Sequence, residues 1–162
     1  MVPVTMRVFL CLFLAFTSHT LLASDIYRVG DTVASFSLKD QHDREQILAP
    51  GVRVLLAGFS MSAAKSANHV LSQKPASFLD EHHAVFLADI RGMPAIGRAF
   101  ALPKMRKYPH RILLVDTDGI LECLPREENK LTALHLDAEL RITDIRFLDP
   151  EKELSAFFDV AP

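Results

Sequence analysis

The chain has 162 residues, with 18 Lys and Arg against 20 Asp and Glu and a formal net charge of −2. That balance argues against a nucleic-acid binder, which shows a basic excess on one face. The length suits one ordinary domain with a real core, and nothing in the composition marks repeats or low complexity.

Arg7 is the only charge before Asp25. The apolar stretch Val8–Phe16 follows it, then polar Thr17–Thr20 and small Ala23 and Ser24. A charged start, a short apolar stretch and a small-residue exit read as a cleaved secretory signal over residues 1–24. The stretch is shorter than the roughly 20 residues a spanning helix needs. An uncleaved anchor is the alternative, because Leu21 or Leu22 stands three residues before the cut. Residues 25–162 are then expected as a single domain in the periplasm or outside the cell, with no membrane span. Cys11 leaves with the signal, so Cys123 stands alone and no internal disulfide forms. Its apolar neighbours suggest a buried, inert thiol.

In chain order, Ala34–Leu38 alternates like a short strand, and Lys39–Arg44 is a polar turn. Val52–Phe59 is nearly unbroken apolar, as in a central strand covered on both faces. Ser60 or Ser62 can cap the next helix. Ala63, Ala67, Val70 and Leu71 form its buried stripe, with Lys65, Asn68 and Ser72 facing away and Pro75 ending or kinking it. Phe78 and Leu79 add one more turn. Ala84–Ile90 is a second buried strand. Pro94 opens a short helix over Ala95–Ala101, which Pro103 stops. Arg111–Asp116 is a third core strand, Asp118-Gly119 a hairpin turn and Ile120–Leu124 its return strand. Leu131–Leu136 and Leu140–Phe147 read as two more strands, the second bulged near Thr143-Asp144. Asp149-Pro150 starts the last helix, which buries Leu154, Phe157 and Phe158. The fold class is α/β, a mixed sheet with helices on both faces.

Four stretches in this order resemble the thioredoxin-like superfamily, in its exported peroxiredoxin or thiol-disulfide branch. They are Val29-Gly30-Asp31 through Phe36-Ser37-Leu38-Lys39-Asp40, the strand-to-helix junction Phe59–Ser66, Tyr108-Pro109 before a core strand, and Leu114–Gly119. The resemblance covers residues 29–125 and implies a thioredoxin-like three-layer fold. The last strand pair and terminal helix are then an extension. It also implies that Pro109 is cis and faces the junction. The chemistry departs from the family. Redox members carry a Cys-x-x-Cys pair at the junction, whereas alignment puts Ala63 and Ser66, or Ser60 and Ala63, in those positions. No thiolate is available there for disulfide or peroxide chemistry.

No catalytic residue is therefore assigned. The expected role is non-catalytic binding of a peptide, a periplasmic protein or a small ligand. Ser60, Met61, Ser62, Ser66, Met93, Tyr108 and Pro109 line its groove, through main-chain pairing beside Pro109. Ala88–Pro94 and Phe100–Lys107 also resemble exported bacterial proteins labelled flavin-containing dehydrogenases, so a flavin-dependent oxidoreductase is the alternative. No glycine-rich phosphate loop accompanies it, and no cofactor is expected. Single-thiol redox through Cys123 is a third reading. Six histidines (His42, His69, His82, His83, His110, His135) and Met61, Met93 and Met105 are weighed as metal ligands, without a set that favours one. His110 and Asp89 are weighed as partners for a junction serine. Lys104, Arg106, Lys107 and Arg111 form a basic cluster for an anion or acidic partner.

Overall fold

Val54–Gly58 is buried at every position, and the sheet is laid down outward from it. The computed structural model describes residues 25–159; the expected export signal lies outside them. The elements are β1 (Ser37–Asp40), β2 (Glu45–Ile47), β3 (Val54–Gly58), α1 (Met61–Leu71), α2 (Phe78–Glu81), β4 (Ala84–Asp89), α3 (Ala95–Met105), β5 (Leu113–Val115), α4 (Ile120–Cys123), β6 (Leu131–Leu136), β7 (Ile142–Leu148) and α5 (Leu154–Asp159). One sheet of seven strands runs β2-β1-β5-β4-β3-β6-β7. β3, β4 and β5 are parallel, and every other pairing is antiparallel.

Two cores flank the sheet because successive strand residues point to opposite faces. Val54, Leu56, Phe86 and Ala88 face one core with Ala63, Ala67 and Leu71 of α1, Leu79 of α2 and Leu154, Phe157 and Phe158 of α5. Leu55, Ala57 and Leu87 face the other with Val33, Leu48 and Leu121 and Leu124 around α4. Each fully buried leucine contributes about 1.5–3 kcal/mol by leaving water.

Gly58 is where α1 comes closest to the sheet. A Cβ there would meet the Ala64 Cβ at 3.3 Å and Leu131 Cδ2 at 3.4 Å. Ser60 then caps α1: its Oγ accepts from the Ala63 N–H at 3.2 Å. At the far end of β7 the pairing skips Thr143, since His135 faces Asp144 and Leu136 faces Ile142. This is the bulge expected there.

Several elements differ from the sequence reading. β1 begins at Ser37, not Ala34, and Glu45–Ile47 adds a strand that the polar turn concealed. Ile120–Cys123 is one turn of helix, not a return strand. β1 already pairs with the free side of β5, so no position beside β5 was left for it. α3 runs through Pro103 to Met105; the proline withholds an N–H from the carbonyl of Ala99, which lies on the exposed side of the helix where water can replace it. Asn68 points inward and is 3% exposed, not solvated. Pro109 is trans, because the described residues contain no cis peptide bond. Trans is the lower-energy state of an X–Pro bond, and the backbone here is already fixed. Gln41 donates through Nε2 to the His110 carbonyl at 2.8 Å and accepts from the Ile112 N–H at 2.8 Å.

Candidate functional site

The junction lies at the end of β3 where the chain turns into α1. Ser60 Oγ and Ser62 Oγ are 3.1 Å apart, and Ser62 donates to Asn129 Oδ1 at 3.2 Å. Asn129 precedes β6, whose first residue Leu131 sits opposite Gly58. The loop before β6, not the one before β5, therefore faces the junction. A shallow cleft of about 490 Å³ lies between them, lined by Phe59, Ser60 and Arg126–Lys130. Its rim carries Lys130 paired with Glu127 at 3.4 Å.

The expected groove comes together only in part. Ser60 and Ser62 line it or border it. Met61 is 69% exposed on the first turn of α1. Ser66 is one turn further on and donates to Glu151 at 2.7 Å, tying α1 to the segment before α5. Met93 lies after β4, at the same end of the sheet as Ser60, and its side chain rests 3.2 Å from the Cβ position of Gly97. Tyr108 and Pro109 do not join it. β5 is parallel to β4, so the segment before it reaches the other end of α1. His110 contacts Asn68, eight residues beyond Ser60, which is roughly 12 Å along a helix. The family resemblance has Pro109 face the junction. Two successive crossovers lay β4 and β5 side by side instead, and β6, buried at every position but His135, takes the place beside β3. The apolar Leu131, Ala133, Leu134 and Leu136 are the signal for this.

The chemistry at the junction is that of hydroxyl and amide groups. Ser60 spends a lone pair on the helix N–H that a thiolate would meet in a redox protein. Neither Ser60 nor Ser62 has a hydrogen-bonded histidine or carboxylate, so neither is an activated nucleophile. The weighed triad is not assembled. The ring Nε2 of His110 is 2.8 Å from Asn68 Oδ1, and Asp89 is held by Arg91 at 2.9 Å. Burial alone would raise the Asp89 carboxyl, but hydrogen bonds from the Arg91 side chain and N–H hold it below its usual range. His110 is 1% exposed, with its Nδ1 unpartnered. Burial disfavours its cationic form and lowers its pKa to about 4. Cys123 is half-buried on α4, whose Leu121 belongs, with the following Leu124, to the core across the sheet from α1.

A second concavity of about 600 Å³ lies at the other end of the sheet, among Val54, His82, His135, Leu136, Phe157 and Phe158. His135 packs 4.8 Å from Phe157. Burial lowers its pKa, against the opposing pull of Asp144. His82 is half-buried, with its Nδ1 2.7 Å from the Phe78 carbonyl. Among the described residues no three His, Cys, Asp or Glu side chains converge as a metal-ligand set. Met93 and Met105 flank opposite ends of α3, roughly 16 Å of helix apart.

The strand order and the junction define an α/β protein of thioredoxin-like class. No protein-family model matches the chain. No curated protein matches its sequence. Solved structures do match. A cysteine-to-serine mutant of PrxQ from Xylella fastidiosa aligns with TM-score 0.57 at 12% identity, over 82% of this chain and 93% of that one. The peroxidoxin BcpB of Mycobacterium tuberculosis gives 0.54 at 17%, over 81% and 94%. The thioredoxin domain of a thiol-disulfide oxidoreductase from Bacteroides vulgatus gives 0.52 at 12%, over 82% and 98%. The chain therefore has the thioredoxin-like fold of peroxiredoxins and thiol-disulfide oxidoreductases.

Proposed function

We propose that this chain is an exported, non-redox thioredoxin-like domain that binds a peptide segment or small polar ligand at the cleft beside Ser60. The observation that carries the reading is the chemistry of the α1 N-terminus. Ser60 caps it, Ser62 and Asn129 extend it across the cleft, and no thiol is present. These groups offer hydroxyl and amide hydrogen bonds to a ligand, with Lys130 and Glu127 at the rim. Serine cannot cycle through a disulfide, and Cys123 stands between Leu121 and Leu124, which belong to the core across the sheet from α1. The N-terminal charged and apolar pattern supports export.

The test has two arms. In dithiothreitol-driven insulin reduction and hydrogen peroxide consumption, the protein and its Cys123→Ser variant are expected to run at background rates. Turnover that Cys123→Ser abolishes would overturn the non-redox reading. In the second arm, peptides selected from a displayed library on the wild-type protein should be released by Ser62→Arg, which fills the cleft from an exposed position. Peptides that bind Ser62→Arg as well as wild type would remove the cleft from the proposal.

A further inference from the structure

We propose that α3 docks on an anionic phospholipid surface, with Ile96 and Phe100 entering the lipid boundary and Lys104 and Lys107 meeting the headgroup phosphates. This goes beyond the binding cleft and does not depend on it. α1, α2, α4 and α5 all bury residues in the two cores. α3, with 11 residues, buries none. Ile96 is 72% exposed and Phe100 69%.

The outward face of this helix is apolar. At 100° per residue, Ile96, Ala99, Phe100 and Pro103 fall on one stripe, and all four are exposed. Arg98 is on the opposite side, turned into the protein. Its guanidinium donates to the Met93 and Ile90 carbonyls at 3.1 Å each, fastening the start of α3 to the end of β4. Arg98 shares the inner face with half-buried Ala101, Leu102 and Met105. The outer face is apolar as well, and this convex stripe has nothing over it.

Charge says what covers it. From Ile90 to Val115 there is no Asp or Glu, against Arg91, Arg98, Lys104, Arg106, Lys107 and Arg111. The nearby acids lie behind the helix: Asp40, Asp43 and Asp116 line the cleft shared with Arg98 and Leu102. Arg106 is engaged by Asp43 at 2.8 Å and Arg111 by Asp80 at 3.5 Å. Among the described residues Lys104 and Lys107 have no carboxylate within ion-pair distance, and both are exposed. A short helix with an exposed apolar stripe and free lysines on its flank fits a membrane interface, where buried apolar area and attraction to anionic lipid add. A second copy on the same face would bring Lys104 and Lys107 of both copies into one interface, with no carboxylate between Ile90 and Val115 to pair them. A groove-bearing partner would need to supply the concavity that a lipid surface does not.

Residues 25–162 are the material for the test, since both cores are built from residues 27–158 and the apolar N-terminal segment would itself bind lipid. The readout is co-flotation with vesicles of phosphatidylglycerol and phosphatidylethanolamine, beside vesicles of phosphatidylcholine alone. Binding is expected to the anionic vesicles only, and to weaken as salt rises. Ile96→Asp with Phe100→Asp, and separately Lys104→Glu with Lys107→Glu, should each reduce it by roughly tenfold or more, with far-UV circular dichroism unchanged. Equal binding to neutral vesicles, no vesicle binding, or unaltered binding by both variants would overturn the proposal. So would a solution dimer that Ile96→Asp with Phe100→Asp dissociates, which would give the stripe to a second copy. So would capture by polyglutamate through the two lysines without capture by vesicles, which would give it to an acidic protein.

Discussion

α1 and α3 are both helices of 11 residues on crossovers between parallel strands, yet they carry opposite loads. α1 buries Ala63, Ala64, Ala67, Asn68 and Leu71 against the sheet. Its small residues let it approach Gly58 to van der Waals contact, and its third turn holds His110 through Asn68. α3 has no fully buried residue, touches the core through half-buried Met105 and presents Ile96 and Phe100 outward. One crossover is a structural beam of the domain; the other is attached to it. The contrast teaches that topology fixes where a crossover helix runs but not whether it belongs to the core. Side-chain size and charge along each stripe decide that.

The contrast can be broken at three levels. Leu71 of α1 is 1% exposed, so Leu71→Ala should cost about 2–5 kcal/mol through lost transfer and a cavity. Leu102→Ala, at a half-exposed position of α3, should cost about 1 kcal/mol or less. Urea midpoints for the two variants measure the difference, and equal losses would erase the distinction.

The next effect lies in the pH dependence of stability. Folded His110 stays neutral down to about pH 4, while its ordinary value is 6.5. Between those values the unfolded chain binds the extra proton, so stability must fall as pH drops from about 6.5 to about 4, and this contribution is spent below that. The gap corresponds to at most about 3 kcal/mol. His135, also lowered by burial, acts in the same direction. His110→Gln keeps an amide donor for Asn68 and should flatten most of the slope in urea titrations at pH 7 and pH 4.5. An unchanged slope would mean that the buried histidine does not couple α1 to acid.

The smallest effect is at the cap. Ser60→Ala removes the acceptor for the Ala63 N–H and should cost about 1 kcal/mol. Ser60→Asp should restore the cap. If Ser60→Ala is neutral in thermal melts, Ser60 is free for a ligand alone rather than shared with the helix.

Much of this is readable from single residues. Ser60 as cap, the apolar β3 and the bulge at Thr143 follow from local chemistry, and local chemistry survives folding. Asp149 accepts from the Glu151 and Lys152 N–H groups as a cap does, but the turn it makes only leads to α5, which starts at Leu154 rather than Pro150. The misreadings share a cause. Asp118-Gly119 carries a hairpin signal, but a turn makes a hairpin only if the return strand has a free partner, and β1 takes that side of β5. Tyr108-Pro109 resembles the family's proline segment, yet the parallel pairing of β4 with β5 sends it to the far end of α1. Asn68 reads as solvated because its buried partner, His110, lies 42 residues away.

The sequence alone determined the thioredoxin-like class and the absence of a thiol at the junction, since strand-forming runs, caps and missing cysteines are local facts. Only the tertiary structure decided which loop faces Ser60, that Pro109 is elsewhere and that α3 keeps its apolar stripe outside. Those outcomes depend on which strands compete for the two sides of β3 and β5, and on which helix the sheet has room to bury. Neither is encoded within any one segment.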